Sequence, residues 1–339
     1  MQKSLDAKLA RLAADSACRD FILADAKDPD MALGVAALGV ERNSQTGEAR
    51  FRSVDEFCEL TREIVRQGLV DIMLLSVSIS ERLTIRERIF DNTAVTPAVR
   101  ANDTTDIWLA GRSESYGKHP SLPFRTARID DPGFEVKDGR VAVRHNGADL
   151  GLYSITLNNR PVEDRETLAA YRDFRAEAEK KHFRHFLEVF SPNSPIDLRT
   201  EDVPRFVNDS IARLLAGVTS AGRPIFLKMP YYGPAAMEQL VSYDSSLVVG
   251  ILGGSAGTTH DAFHMLWEAK KHGARAALFG RKINVAEHQL TFVRYLRALA
   301  DDELEPAEAV KSYHAELAKM KIAPARALAQ DLELTYRAS

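Results

Sequence analysis

Cysteine is scarce: Cys18 and Cys58 are the only two in 339 residues. Neither belongs to a CxxC pair or stands near a histidine cluster. This argues against a disulfide scaffold and a thiolate metal site, and makes a reducing cytoplasm the default compartment. Long apolar runs are also missing, since none approaches the roughly 20 residues needed to span a bilayer. The opening Met1-Gln-Lys-Ser-Leu-Asp lacks the apolar stretch of a secretory signal. The expectation is a soluble, cytoplasmic chain with no membrane partner. Nor is there a surplus of one charge: the net value of −3 gives no electrostatic ground for a nucleic-acid partner. Low-complexity segments and internal repeats are absent too.

What is present suits a globular protein with a sizeable core, at 45% apolar and 27% charged residues. An N-terminal helix is predicted over residues 4–18, from the helical spacing of Leu5, Leu9 and Leu12. Short strand-like runs then alternate with amphipathic stretches. The strands are expected at about 21–25, 70–77, 95–103, 149–157, 183–190, 224–229, 247–252 and 274–279. Helices are expected near 54–66, 163–181, 203–216, 235–242, 259–271, 285–299 and 306–319. This rhythm, with no second compositional regime, predicts an α/β fold: one (β/α)8 TIM barrel spanning 1–339, with C-terminal helices at about 283–335. An open doubly wound sheet is the alternative that periodicity does not exclude. The stretch from about 109 to 146, rich in Gly, Pro and charge, reads as a hairpin insertion between strands three and four, on or near the catalytic face.

One residue stands out chemically. In Arg223-Pro-Ile-Phe-Leu-Lys-Met-Pro, alternation places Lys228 on the face of Phe226, opposite Leu227 and Met229. With helices outside, that face is the barrel interior, where an ammonium is costly unless paired or deprotonated. A Schiff-base lysine belongs in such a place. The same argument turns Glu188 inward within Phe186-Leu-Glu-Val-Phe190, on the neighbouring strand, and Asp25 is expected to behave alike at the end of strand one. A self-satisfied structural Lys–Glu pair is an equally good reading of spacing alone.

Two glycine-rich loops follow strands seven and eight: Leu252-Gly-Gly-Ser-Ala-Gly-Thr-Thr259 and Phe279-Gly-Arg281. Barrels frequently bind phosphate there, through close-approaching backbone and free N–H groups at helix N-termini. Gly253, Gly254, Ser255, Gly280 and Arg281 are the candidate anion holders, Asn158 at the end of strand four is counted with them, and Thr258 or Thr259 is expected to cap the helix. Tight turns capped by threonine are the bland alternative. His260 and His264 have helical i, i+4 spacing but no HExxH around them, so a structural or surface role is expected and no metal site is assigned. Tyr231 and Tyr232, just after the lysine strand, are either proton donors or a loop platform.

Together these segments resemble the class I aldolases of the deoxyribose-phosphate, tagatose-bisphosphate and archaeal-type fructose-bisphosphate superfamily. Leu227-Lys-Met-Pro resembles that family's Lys-Val-x-x-Pro strand, Phe186-Leu-Glu-Val its strand-five glutamate, and the two glycine loops its phosphate loops. Ala24-Asp-Ala-Lys is similar to the ending of its first strand. Many members carry a second lysine on strand four, where this chain has Asp149-Leu-Gly-Leu-Tyr-Ser-Ile-Thr-Leu. The resemblance implies a metal-independent lyase without cofactor, acting on a phosphorylated keto sugar. It makes Lys228 the imine-forming amine, Glu188 the acid/base and Asp25 an orienting group. A phosphosugar isomerase or epimerase, and a non-catalytic phospholigand-binding barrel, are the rivals. The last helices, Pro306 to Leu334, suit a homo-oligomer contact or ordinary packing equally well.

Overall fold

The computed structural model describes residues 1–42, 48–108, 118–130, 134–137, 140–143, 147–254 and 257–335. Eight parallel strands close into a barrel in sequential order. They are β1 (Ile22–Lys27), β2 (Ile72–Leu75), β3 (Thr96–Arg100), β4 (Leu150–Thr156), β5 (Arg184–Phe190), β6 (Leu227–Met229), β7 (Val249–Leu252) and β8 (Ala276–Phe279). The principal helices are α1 (Ser4–Ala14), α2 (Val54–Gln67), α3 (Pro161–Lys180), α4 (Val203–Ala216), α5 (Pro234–Tyr243), α6 (Thr259–Lys271), α7 (Gln289–Ala300) and α8 (Pro306–Lys319). Their ends follow local chemistry. Ser53 and Glu56 form a capping box that starts α2, and Gly68, at φ 70°, ends it in the left-handed conformation. Pro161 opens α3 at a position where its missing N–H costs nothing.

Strand alternation sorts the core into two shells. Ile22, Ala24, Ile72, Leu74, Ala98, Leu152, Phe186, Phe226 and Leu278 fill the barrel, and Leu5 of α1 closes its N-terminal end. The opposite phase, including Leu23, Met73, Val99, Leu187, Leu227 and Ile251, packs under the helices. Phe186 and Phe226 stack at 4.5 Å between ring centroids. Each lies two residues before an inward charged side chain, so the pair floors the C-terminal mouth.

Several boundaries differ from the sequence expectation, α1 ending at Ala14 and β2 shortening to Ile72–Leu75 among them, and two have a local cause. β6 begins at Leu227 rather than Pro224, as suits a proline that brings no N–H to a ladder. β3 ends at Arg100, and Asp103–Thr104 pairs instead with Pro123–Phe124 in an antiparallel bridge. The excursion between β3 and β4 continues as the expected hairpin, 134–137 against 140–143. No helix among the described residues is long and apolar enough to cross a membrane.

Candidate active site

Register aligns the chemistry. Ser154 of β4, Glu188 of β5, Lys228 of β6 and Gly250 of β7 form one row of paired residues across the barrel wall. Lys228 is 8% exposed, and its Nζ lies 2.6 Å from Glu188 Oε1. The Ser154 hydroxyl donates to the other carboxylate oxygen at 2.7 Å. Ser154 is itself clamped by Asn102, whose Oδ1 accepts the Ser154 N–H at 2.6 Å and whose Nδ2 donates to its carbonyl at 2.8 Å. Because β3 has already ended, this side chain replaces the missing ladder and fixes the height of Ser154. Glu188 is thereby held from two sides, with Oε1 against the amine and Oε2 against the hydroxyl.

Two groups that sequence reasoning passed over complete the mouth. Arg100 lies one turn of the alternation after Ala98 and faces inward, buried. Its Nη1 meets Asp28 Oδ2 at 3.1 Å and its Nε meets Asp103 Oδ1 at 2.9 Å. These carboxylates hold the guanidinium pKa above its ordinary value despite the burial that opposes them. Burial pushes the Asp103 carboxyl up to about 6, with Arg100 pulling the other way. The signal for Asp28 was the small-residue phase Ala24, Ala26, which continues to position 28.

That phase corrects the expectation for Asp25. It shares a face with Phe21 and Leu23 and points under the helices, not into the mouth. There its Oδ2 lies 3.2 Å from Lys27 Nζ, both side chains being fully buried. Lys27 also donates to Gln289 of α7 at 3.1 Å and sits over the Phe57 ring of α2. Burial raises the Asp25 pKa from 3.8 to about 6, with Lys27 opposing the shift. Since the folded value lies above the unfolded one, the stability Asp25 contributes is fully present below about pH 4. It is lost as pH rises through 6. Asp25→Asn removes this dependence. Its melting temperature relative to the wild type should therefore climb between pH 4 and 7 in paired thermal scans; a constant difference would contradict the assignment.

A cavity of about 230 Å³ opens at the mouth. It gathers Lys228, Glu188, Gly253, Gly254, Gly280 and Arg281 from the expected set and adds Asp28 and Arg100. Ser255 lies outside the described residues. Asn158 is not in the lining. Its Oδ1 accepts the Ser194 N–H at 2.8 Å and its Nδ2 donates to Asn193 at 3.0 Å, so it organises the loop after β5. The glycine loops come close because side chains are absent. A Cβ on Gly280 would stand 2.4 Å from the Ala26 carbonyl oxygen, a backbone atom of β1. Gly280→Ala is thus expected to cost about 1–3 kcal/mol, read as a lower denaturant midpoint.

The N-terminus of α6 is not available to an anion. Thr258 and Asp261 form a capping box there, and the Thr259 N–H donates to Asp331 Oδ1 at 2.7 Å. Any phosphate is left to the glycine backbone and Arg281. Lys282 ties the two loops together through Gly257 O at 2.8 Å. His260 bonds the Leu332 carbonyl, in keeping with a structural role, and no cluster of three or more His, Cys, Asp or Glu side chains suited to a metal occurs among the described residues. Tyr232 bonds Ser191, and neither it nor Tyr231 lines the cavity.

No family model and no curated protein matches the chain. Solved structures do. A fructose-bisphosphate aldolase from Slackia heliotrinireducens superposes with a TM-score of 0.63 at 16% identity, covering 91% of each chain. An archaeal fructose 1,6-bisphosphate aldolase gives 0.60 at 17% identity, over 88% of this chain and 99% of that one. A structure of an archaeal fructose-1,6-bisphosphate aldolase whose catalytic lysine is covalently bound to the carbinolamine intermediate of the substrate gives 0.59 at 17%. The chain has the fold of the class I, archaeal-type aldolases.

Proposed function

We propose that this protein is a class I aldolase, making or breaking a C–C bond in a phosphorylated keto sugar through an imine on Lys228. One observation carries the reading: an amine 8% exposed at a barrel mouth, 2.6 Å from a carboxylate that pairs with no other cation among the described residues. The shared fold with Schiff-base-forming aldolases supports it.

The chemistry follows from the row of paired residues. A ketone entering the cavity displaces water, and Glu188 takes a proton from the Lys228 ammonium. The neutral amine attacks the carbonyl carbon. Glu188 returns the proton to the carbinolamine oxygen, water departs, and a protonated imine remains. A base then removes the proton of the hydroxyl two carbons away. An aldehyde leaves as the bond from its hydroxyl-bearing carbon breaks, and the electron pair of that bond moves toward the imine nitrogen to give an enamine, whose nucleophilic carbon is the one next to the imine carbon. Protonation of that carbon and hydrolysis release the second carbonyl product. Glu188 is the nearest group able to move these protons. Gly253, Gly254, Gly280 and Arg281 hold the phosphate, so binding energy remote from the reacting bond positions it.

The test is a cleavage assay on a panel of ketose phosphates, following the release of two carbonyl fragments with and without EDTA. The reading expects EDTA-insensitive cleavage of at least one member. Isomerisation without cleavage would move the assignment to an isomerase. A ligand-induced rise in melting temperature with no turnover on any member would move it to a binding barrel.

A further inference from the structure

Arg100 carries a feature the mechanism does not use. Its Nη2 is buried and has no hydrogen-bond partner, although Nη1 and Nε are engaged by Asp28 and Asp103 and by the Asn102 carbonyl at 3.0 Å. The side chain lines the mouth cavity together with Asp28. An unpartnered arginine N–H of this kind is costly, and a ligand oxygen is the natural group to satisfy it.

Position and charge say which oxygen. In the closed eight-stranded order, β3 lies four strands from β7, so Arg100 stands across the mouth from the glycine loop of β7. A substrate anchored by phosphate at β7 and β8, with its carbonyl at Lys228, extends its far end toward Arg100. There the guanidinium already faces Asp28 and Asp103 and feels Glu188 as well. Asp30, which accepts from the Ser76 hydroxyl at 2.7 Å, adds negative charge near Asp103. A second phosphate or a carboxylate would meet this surplus of carboxylates. A neutral hydroxyl would not, and it could accept from Nη2 while donating to Asp28.

We infer that Arg100 and Asp28 form a hydroxyl-recognising subsite, so that the substrate is a polyhydroxylated ketose monophosphate whose far end is uncharged. This rests on the imine reading above. It also parts company with the bisphosphate named for the neighbouring structures.

The experiment measures half-saturation of borohydride trapping on Lys228. The ligands are the four D-2-hexulose 1-phosphates, the matching 1,6-bisphosphates, and dihydroxyacetone phosphate. In the wild type, the best hexulose monophosphate should half-saturate at a concentration at least about tenfold below its bisphosphate and below dihydroxyacetone phosphate. Arg100→Gln should remove the advantage over dihydroxyacetone phosphate, a ratio that does not depend on the fraction folded. Asp28→Asn should weaken the rejection of the bisphosphate, and it decides the matter with the wild-type panel if Arg100→Gln does not fold. Tighter capture of a bisphosphate by the wild type overturns the inference while leaving the imine intact. So does an advantage over dihydroxyacetone phosphate that survives Arg100→Gln. If no ketone, dihydroxyacetone phosphate included, leaves an adduct on Lys228, the imine reading fails and the subsite falls with it.

Discussion

Lys228→Ala is expected to lower turnover by at least about 10⁴-fold, the scale seen when a covalent nucleophile is deleted. The loss should fall on kcat, because Gly253, Gly254 and Arg281, the residues proposed to hold the phosphate, still line the cavity. Lys228→Arg sharpens the test. Arginine keeps the positive charge beside Glu188 but is not deprotonated in proteins, so it supplies no amine for an imine. The imine account expects the two variants to be equally inactive. An enzyme using Lys228 only as a cation would keep substantial activity in the arginine variant. Measured kcat for both, on protein whose far-UV spectrum and melting match the wild type, separates the two.

Glu188→Gln should lower kcat by about 10²–10⁴-fold. The substitution is nearly isosteric and its amide oxygen still accepts from the Ser154 hydroxyl, which now reaches Glu188 at 2.7 Å. What disappears is the group that takes the lysine proton and returns it to the departing oxygen. One consequence accompanies the lower rate: adduct formation slows. A variant within threefold of wild type would reduce Glu188 to a counter-ion for Lys228.

The strands were legible in the sequence because each is a short apolar run bounded by turn residues; the strand–helix rhythm favoured a barrel, but only the pairing of β1 with β8 closes it. Lys228 and Glu188 were legible for a related reason. A lone charge in an aliphatic run has a definite parity, and Phe226 or Phe186 two residues before it reveals which face it shares. Asp25 was misread because parity in β1 is carried by alanines. The barrel interior accepts Ala24 and Ala26, while the larger Leu23 and Phe21 fill the space under the helices. Treating Asp25 by analogy with Glu188 reversed the strand and left Asp28 unread.

The remaining errors are long-range. Asn158 looked like a strand-end ligand, but its partners come from the loop after β5. The N-terminus of α6 looked open to phosphate, yet Asp331, 72 positions along the chain from Thr259, occupies it. Arg100 sat at the frayed end of a weak strand, and its importance depends on carboxylates contributed by the segments just after β1 and after β3. No local pattern carries that information. On β4, which carries no lysine, Ser154 is the residue paired beside Glu188.

The most direct measurement is intact and peptide mass spectrometry of the wild-type protein after borohydride reduction in the presence of dihydroxyacetone phosphate. The account predicts one covalent adduct, its mass that of the ketone phosphate joined through a reduced imine, located on Lys228 and absent from Lys228→Ala. A protein that remains unmodified, or carries the label on other lysines while Lys228 stays free, would contradict it.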